Sequence, residues 1–218
     1  MIKFENVSKS YRVGKQHKQI LRNFSFDFPN DRNIALIGRN GAGKTTFLSL
    51  ISGTSLPDKG KVTRQASISW PLGFGGAFHP LLTGRQNSKF VARIYGVKSD
   101  QLVSKVISFA DLGGYFDMPV RTYSQGMKAR LAFGVSMAVE FKCYLVDEII
   151  GVGDEQFRRK CQVALQDRLK NSQVIMASHS KAMLRLYCQS AFLIENGTVE
   201  YFDDLEAGLE KYKQIFAD

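Results

Sequence analysis

The stretch Gly38-Arg39-Asn40-Gly41-Ala42-Gly43-Lys44-Thr45-Thr46 decides the fold of this chain. It matches the phosphate-binding pattern G-x-x-x-x-G-K-[S/T] at every fixed position. The apolar run 34–37 before it is typical of a buried strand, and the run 46–51 after it predicts a helix. A chance glycine-rich turn is the alternative, but a strand, a loop and a helix are the context that the motif requires. The sequence therefore predicts a phosphate-binding loop in an α/β fold.

Each part of this loop suits one part of a nucleotide. The glycines let the backbone turn its N–H groups inward, and the N-terminus of the next helix adds a positive partial charge. Lys44 can reach the β- and γ-phosphates, and the Thr45 hydroxyl can reach a Mg²⁺ that bridges them. Thr46 can donate a hydrogen bond to an α-phosphate oxygen. The predicted nucleotide-binding residues of the loop are Gly38, Asn40, Gly41, Gly43, Lys44, Thr45 and Thr46. The loop leaves the reaction open, because kinases, GTPases, helicases and transport motors share it.

Composition predicts one main domain without a membrane span. The 218 residues are 44% apolar, which is enough for the core of one α/β domain. No apolar run of about eighteen residues occurs and the N-terminus lacks an apolar signal core, so we expect a cytoplasmic chain. The net charge is +10, but the basic residues are scattered, and we expect no nucleic-acid groove. Three widely separated cysteines predict neither a disulfide frame nor a zinc site.

Polar groups follow two further predicted strands. The apolar run 144–146 ends in Asp147 and Glu148, which suit a magnesium ligand and a base that polarises water. A surface pair of acids is the alternative, and the phosphate-binding loop makes it the weaker one. His179 follows the run 174–177, where it would face the γ-phosphate or orient Glu148 and the water. A lone histidine is more often structural.

The rest of the chain predicts a second sheet and a helical insertion. Residues 2–7 and 24–28 alternate as half-buried strands do, which indicates an antiparallel sheet. Residues 61–70 look extended, and residues 192–201 predict a hairpin with an Asn-Gly turn. Tyr11 ends the first strand, where its ring could stack on an adenine, although an aromatic residue there is more often plain packing. Helical spacing over residues 83–112, and again after Ser124, predicts helices inserted between two halves of the central sheet.

The stretch Tyr123-Ser124-Gln125-Gly126-Met127 begins a further predicted helix. Ser124 is a favourable N-cap, so the free N–H groups of the helix would point outward at an anion. The phosphate-binding loop already provides one anion site in the same chain. In a head-to-tail dimer, however, this N-terminus could cap the γ-phosphate bound by the other copy.

In the order of these motifs the chain resembles the ATP-binding subunit of ATP-binding-cassette (ABC) transporters. Residues 123–127 stand where that family has a Leu-Ser-Gly-Gly-Gln signature, and differ from it at Tyr123, Gln125 and Met127. The resemblance implies one nucleotide-binding domain over residues 1–218, with a P-loop NTPase core, an antiparallel β subdomain and a helical subdomain inserted at about 83–138. It also implies these roles: Tyr11 stacks on adenine, Asp147 and Glu148 are the Walker B pair, Gly153 and Asp154 contact the dimer partner, His179 is the switch histidine, and Ser124, Gln125 and Gly126 bind ATP in trans.

Within that superfamily the chain looks like the capsular-polysaccharide export ATPases of Gram-negative bacteria. The stretches that carry this resemblance are residues 68–71, Gly73, Gly76, Phe78, and residues 82–85, 89–93, 115–119 and 152–154. It implies ATP and Mg²⁺ as ligands, a homodimer on ATP binding, and a place at the cytoplasmic face of the inner membrane. It further implies that the loop 71–85 receives a helix of a separate permease. The glutamine that most ABC ATPases carry near Leu72 and Gly73 is missing.

Other functions are less well supported by the sequence. An ATPase for export of O-antigen or teichoic acid is the nearest alternative, although we expect no room for a carbohydrate-binding domain after the last predicted hairpin. A soluble ABC ATPase acting on nucleic acid or ribosomes usually carries two cassettes or a long coiled insertion. A small-molecule kinase would need a lid and would leave residues 123–127 unexplained. Separately, Trp70, Phe74 and Phe78 could be core residues instead of a permease surface.

Overall fold

The computed structural model describes residues 2–14, 16–72, 78–147 and 154–216. The strands are β1 (Ile2–Val13), β2 (Gln16–Asp27), β3 (Ile34–Ile37), β4 (Lys59–Arg64), β5 (Ile68–Leu72), β6 (Cys143–Asp147), β7 (Gln173–Ala177), β8 (Ser190–Glu195) and β9 (Thr198–Phe202). The helices are α1 (Lys44–Ser52), α2 (Gly84–Ile94), α3 (Ser99–Ala110), α4 (Gln125–Ala138), α5 (Glu155–Leu169), α6 (Lys181–Tyr187) and α7 (Leu205–Phe216), with 3₁₀ turns at Gly113–Asp117 and Val120–Thr122.

The chain divides into two compact units. The first unit comprises Met1–Pro71, Phe141–Glu148 and Ser172–Asp218, and the second comprises Leu72–Glu140 and Ile149–Asn171. The first holds both sheets together with α1, α6 and α7, whereas the second holds α2 to α5. The predicted α/β fold with an antiparallel sheet and a helical region is confirmed.

The first unit contains the predicted strands in two sheets. Among the described residues, six strands form a central sheet in the order β5-β6-β7-β3-β8-β9, and three form an antiparallel sheet in the order β2-β1-β4. Strand β3 is parallel to β7 and β8, and β6 is parallel to β7. The carboxyl ends of β3, β6 and β7 therefore meet at one edge of the central sheet, where ligands of such sheets bind.

Two features of the strands refine the sequence interpretation. Strands β8 and β9 form an antiparallel hairpin whose turn residues Asn196 and Gly197 have φ values of 46° and 81°. Positive φ at both positions is what a tight hairpin turn requires, so the predicted Asn-Gly hairpin is confirmed. The stretch 61–70 is not one extended segment. It is divided between β4 in the antiparallel sheet and β5 at the edge of the central sheet.

A cluster of phenylalanine rings fills the core of the first unit. Phe47 on α1 packs on Phe4 of β1 with the ring centroids 5.4 Å apart, and on Phe192 of β8 at 5.6 Å. All three rings are buried. Aromatic pairs of this kind stabilise a fold beyond the area that they bury. Because Phe47 lies three residues after Lys44, this cluster also fixes the helix that follows the phosphate-binding loop.

Replacing Phe47 by alanine is expected to lower the free energy of unfolding by about 3–5 kcal/mol, since the cavity left by a buried ring closes only in part. Urea denaturation measures the change. Phe90 is exposed on α2, and Phe90→Ala is the matched control, with an expected change within about 0.5 kcal/mol. A loss for Phe47→Ala no larger than that for Phe90→Ala would contradict the packing of the cluster.

The second unit consists of helices, of which α2, α4 and α5 begin at side-chain caps and α3 does not. At the start of α2 the Thr83 hydroxyl accepts a hydrogen bond from the Gln86 N–H at 3.1 Å, and the Gln86 side chain accepts one from the Thr83 N–H at 2.9 Å. This reciprocal pair is a capping box and fixes where α2 begins. No helix within the described ranges is both long enough and apolar enough to cross a lipid bilayer.

Candidate nucleotide-binding site

The phosphate-binding loop leaves the carboxyl end of β3, a strand whose four residues are all buried. A Cβ atom on Gly38 would lie 2.6 Å from the carbonyl oxygen of Ile194, which is backbone and cannot move aside. Gly43 has a φ of 112°, and a Cβ there would overlap the Ile20 side chain. Both positions therefore need glycine, and the tight loop of the sequence prediction is confirmed.

The end of the loop offers donors to an anion. Gly43 caps α1 without a side-chain hydrogen bond, and the first turn of α1 carries no acidic residue. The N–H groups of this turn and the positive end of the helix dipole are therefore left for a ligand. Thr45, in the same turn, is exposed. Its hydroxyl is accessible to a phosphate-bound cation.

Lys44 lies folded over the loop. Only 8% of the residue is exposed, and its Nζ donates to the carbonyl oxygens of Gly38 at 2.7 Å and Arg39 at 3.2 Å. These contacts hold the ammonium above the curve of the backbone. Phosphate oxygens are stronger acceptors for an ammonium than neutral carbonyls, because both partners of the hydrogen bond are then charged. The side chain is thus placed for the phosphate-binding role that the sequence predicts.

Asp147 ends β6 at the same sheet edge. It pairs with Ala177 of β7, and Ala177 pairs with Leu36 of β3, so Asp147 is level with the start of the loop. Helix α1 packs against β6 and β7. No cluster of three or more His, Cys, Asp or Glu exists among the described residues. Mg²⁺ usually takes one or two protein ligands beside substrate phosphates, so Thr45 and Asp147 fit the role predicted for them.

Of the two predicted catalytic residues, the structure describes His179 but not Glu148. His179 is exposed in the connection between β7 and α6, at the same sheet edge as Asp147. Ser180 next to it caps α6 by accepting a hydrogen bond from the Met183 N–H at 3.3 Å. Glu148 and Gly153 lie outside the described residues. The roles of Glu148 and His179 stay predictions.

Tyr11 stands on β1 with 42% of its surface exposed, and the Lys9 ammonium lies 5.3 Å from the centre of its ring. Asp58 fixes this part of β1. Its carboxylate accepts hydrogen bonds from the Lys9 ammonium at 2.8 Å and from the Ser10 N–H at 2.7 Å. The Lys9 bond, followed by that of Ser10, lowers the pKa of Asp58. The sequence interpretation missed Asp58, since only the strand pairing brings it beside Ser10.

The residues predicted to act in trans lie at the start of α4 in the second unit. The Ser124 hydroxyl caps the helix by accepting from the Met127 N–H at 3.2 Å, and both Ser124 and Gln125 are exposed. A Cβ on Gly126 would meet only Ser124, at 3.9 Å. The helix start is thus open to an approaching group. The predicted N-cap is confirmed, whereas binding in trans stays a prediction.

Tyr123, which departs from the signature pattern, is a buried anchor for this helix start. Its hydroxyl donates to the Tyr115 carbonyl oxygen at 2.7 Å. A Cβ on Gly84, the first residue of α2, would lie 2.6 Å from the same hydroxyl. In this position the hydroxyl leaves no room for a side chain at position 84. The local pattern gave no sign of this contact between residues 39 positions apart.

Asp154 has a structural role within its own unit. Its carboxylate caps α5 by accepting from the Phe157 N–H at 2.8 Å, and it pairs with Arg130 of α4 at 2.5 Å. The helix N–H, followed by Arg130, lowers the pKa of Asp154. An aspartate directly before a helical stretch is a common N-cap, and this signal could have identified Asp154. Contact of Asp154 with a dimer partner stays a prediction.

The loop predicted to receive a permease is described only in part. Trp70 packs on Phe141 with centroids 5.6 Å apart, and both Trp70 and Phe78 are buried. These two rings are core residues, which was the alternative interpretation, and Phe74 lies outside the described residues. Leu81 is exposed. Behind it the carbonyl oxygens of Pro80 and Leu82 accept hydrogen bonds from the Arg121 and Val120 N–H groups.

Comparisons with known proteins identify the family of this chain. The family model described as ABC transporter matches residues 21–151. The polysialic acid transport ATP-binding protein KpsT of Escherichia coli is 44% identical, over 98% of this chain and 96% of its own length. The capsule polysaccharide export ATP-binding protein CtrD of Neisseria meningitidis is also 44% identical, over 99% and 100%. The O-antigen export protein RfbB of Klebsiella pneumoniae is 35% identical, over 96% and 87%.

Solved structures agree on the fold. The ATP-binding cassette MJ0796, a dimer in a post-hydrolysis state bound to ADP and phosphate, superposes with a TM-score of 0.77. The match covers 94% of this chain and 99% of that one at 20% identity, and it shows the fold alone. The family model and the relatives above 40% identity show the family as well as the fold. The chain therefore belongs to the ABC transporter family, as an ATP-binding ATPase subunit.

Proposed function

We propose that this chain hydrolyses ATP to power the export of a capsular polysaccharide through a separate permease. The observation that carries the proposal is the 44% identity to two exporter ATPases, KpsT and CtrD, over nearly the full length of both chains. O-antigen export is the alternative, and the lower identity of RfbB makes it the weaker one. The glycan would be lipid-linked, and the chain would lie at the cytoplasmic face of the inner membrane, bound there through the permease.

ATP would be bound and hydrolysed with the following division of roles. Tyr11 would stack on the adenine, and the loop with Lys44 would hold the phosphates. Thr45 and Asp147 would hold Mg²⁺, which supplies neutralisation of phosphate charge when it is bound. Glu148 would take a proton from the attacking water, with His179 orienting the two. Water adds to the γ-phosphorus, the bond to the bridging oxygen breaks, and ADP and phosphate leave.

A second copy of the chain would complete the site. Ser124, Gln125 and Gly126 would contact the γ-phosphate held by the other copy, which the open start of α4 permits. ATP between two copies would then close a homodimer, and hydrolysis would reopen it. We propose residues 71–85 as the segment facing the permease. Within it, Leu81 is an exposed apolar side chain available to a partner.

Deletion of the gene in its native host tests the exporter assignment. We expect the polysaccharide to disappear from the cell surface and to accumulate inside the cell, because synthesis continues while transport lacks its motor. A plasmid copy should restore the surface signal, whereas a copy carrying Lys44→Ala should not. Antibody staining of intact and permeabilised cells measures both pools. Unchanged capsule with loss of O-antigen from the surface would favour the alternative, and no change in either would refute export of a surface polysaccharide.

A further inference from the structure

Lys18 on β2 brings an additional cation to the phosphate-binding loop. Its Nζ atom lies 3.3 Å from the position that a Cβ atom on Gly41 would take. The side chain lines a cleft of about 530 Å³ together with residues 39–42 of the loop, residues 194–197 of the β8–β9 hairpin and Phe216. Tyr11, Lys44 and Thr45 do not line this cleft, which therefore borders the predicted phosphate site. The ammonium thus lies at the edge of a loop whose backbone is built to bind anions.

The Lys18 ammonium has no charged or hydrogen-bonding partner among the residues that the structure describes. No ion pair or hydrogen bond of its ammonium is found there, and Glu195, which lines the same cleft, does not pair with it. The neighbouring cations are engaged: Lys9 pairs with Asp58, and the Arg39 guanidinium lies 5.6 Å from the centre of the Phe216 ring. An unpaired ammonium beside the loop is available to an anionic ligand.

The strand register places Lys18 at one end of the predicted nucleotide. Lys18 is the direct cross-strand partner of Tyr11 in the antiparallel pair of β1 and β2. Directly paired residues point to the same face of a sheet, so the ammonium and the aromatic ring are neighbours there. Lys44, by contrast, lies over the carbonyl oxygens of Gly38 and Arg39 inside the loop. The two lysines approach the loop from different elements.

We propose that Lys18 is a further nucleotide-binding residue, which contacts the phosphates nearest the base while Lys44 contacts those farther along. The inference rests on the proposed function, since it takes ATP to bind with its base at Tyr11 and its phosphates in the loop. The part of the nucleotide between the base and the phosphates then passes the sheet face that Tyr11 and Lys18 share. Lys18 sets affinity for ATP and ADP alike, because both carry the phosphates nearest the base.

Calorimetric titration of the full chain with ATP, ADP and adenosine tests this role. We expect Lys18→Gln to weaken ATP and ADP binding by the same factor, about three- to tenfold, as loss of one charge-assisted contact at an exposed site would do. Adenosine affinity should be unchanged, since it lacks phosphates. Lys18→Arg should restore most of the loss. The affinity of Lys18→Gln should also fall less steeply with added salt than that of the parent protein.

Lys61 provides the matched control, because it is an exposed lysine on β4 of the same antiparallel sheet. Lys61→Gln removes the same charge and should leave all three affinities unchanged. ADP affinity of Lys18→Gln within twofold of the parent, or an equal loss for adenosine, would overturn the inference while the proposed function stands. A parent protein that binds neither ATP nor ADP would overturn both.

Discussion

Replacing Glu148 by glutamine is expected to lower steady-state ATP turnover by about 10²- to 10⁴-fold and to leave ATP affinity nearly unchanged. The amide keeps the shape of the side chain but cannot take a proton from water. Bound ATP would then persist, and the closed homodimer should accumulate. Phosphate release measures turnover, and size-exclusion chromatography with ATP and Mg²⁺ measures the dimer.

Glu155 is a suitable control for this experiment. It is an exposed carboxylate in the first turn of α5, paired with Arg159, and Glu155→Gln should leave turnover within about twofold of the parent. Turnover by Glu148→Gln comparable to that of the parent protein would show that another group accepts the proton. A monomer with ATP would argue against the trans role proposed for Ser124, Gln125 and Gly126.

Replacing Lys44 by alanine is expected to weaken ATP binding by about 10²-fold or more. A largely buried ammonium that faces the phosphates is lost, and hydrogen bonds to charged groups are the stronger ones. The substitution also removes the donor to the carbonyl oxygens of Gly38 and Arg39, so the loop itself loses support. Calorimetric titration with ATP measures the affinity.

Thermal unfolding of Lys44→Ala without nucleotide separates these two effects. An unchanged midpoint together with lost affinity would assign the loss to the missing phosphate contact. Lys44→Met keeps most of the side-chain volume and should lose affinity as strongly as alanine does. ATP affinity of either variant within threefold of the parent would refute the role of Lys44.

Local patterns in the sequence predicted the elements whose geometry is set by neighbouring residues. The loop from Gly38 to Thr46, the Ser124 cap and the Asn196-Gly197 turn all depend on backbone preferences over a few residues, and all three are found. Periodicity likewise predicted α2, α3 and α4, with looser bounds, but it did not predict α5.

Contacts between distant residues were not predictable from the same patterns. The stretch 61–70 looks uniformly extended, yet pairing with β1 assigns its first part to the antiparallel sheet and leaves the rest to the central one. The sequence favoured a partner surface for Trp70 and Phe78, with core packing as the alternative, and only the burial of both side chains shows that they are core residues. In the sequence, Lys18 does not differ from the other scattered lysines, and only the strand register places it opposite Tyr11.

The contact between Tyr123 and Gly84 has a consequence for how this sequence can evolve. The Tyr123 hydroxyl can make room for a side chain at position 84 only by giving up its hydrogen bond to Tyr115. A family member with leucine at position 123 has no hydroxyl there, but a Cβ at position 84 would still lie 3.0 Å from both the carbonyl oxygen and the ring of Phe116, so alanine there also needs Phe116 to shift. Tyrosine at position 123 should therefore be accompanied by glycine at position 84 across capsule and O-antigen exporters, whereas glycine at position 84 does not require the tyrosine.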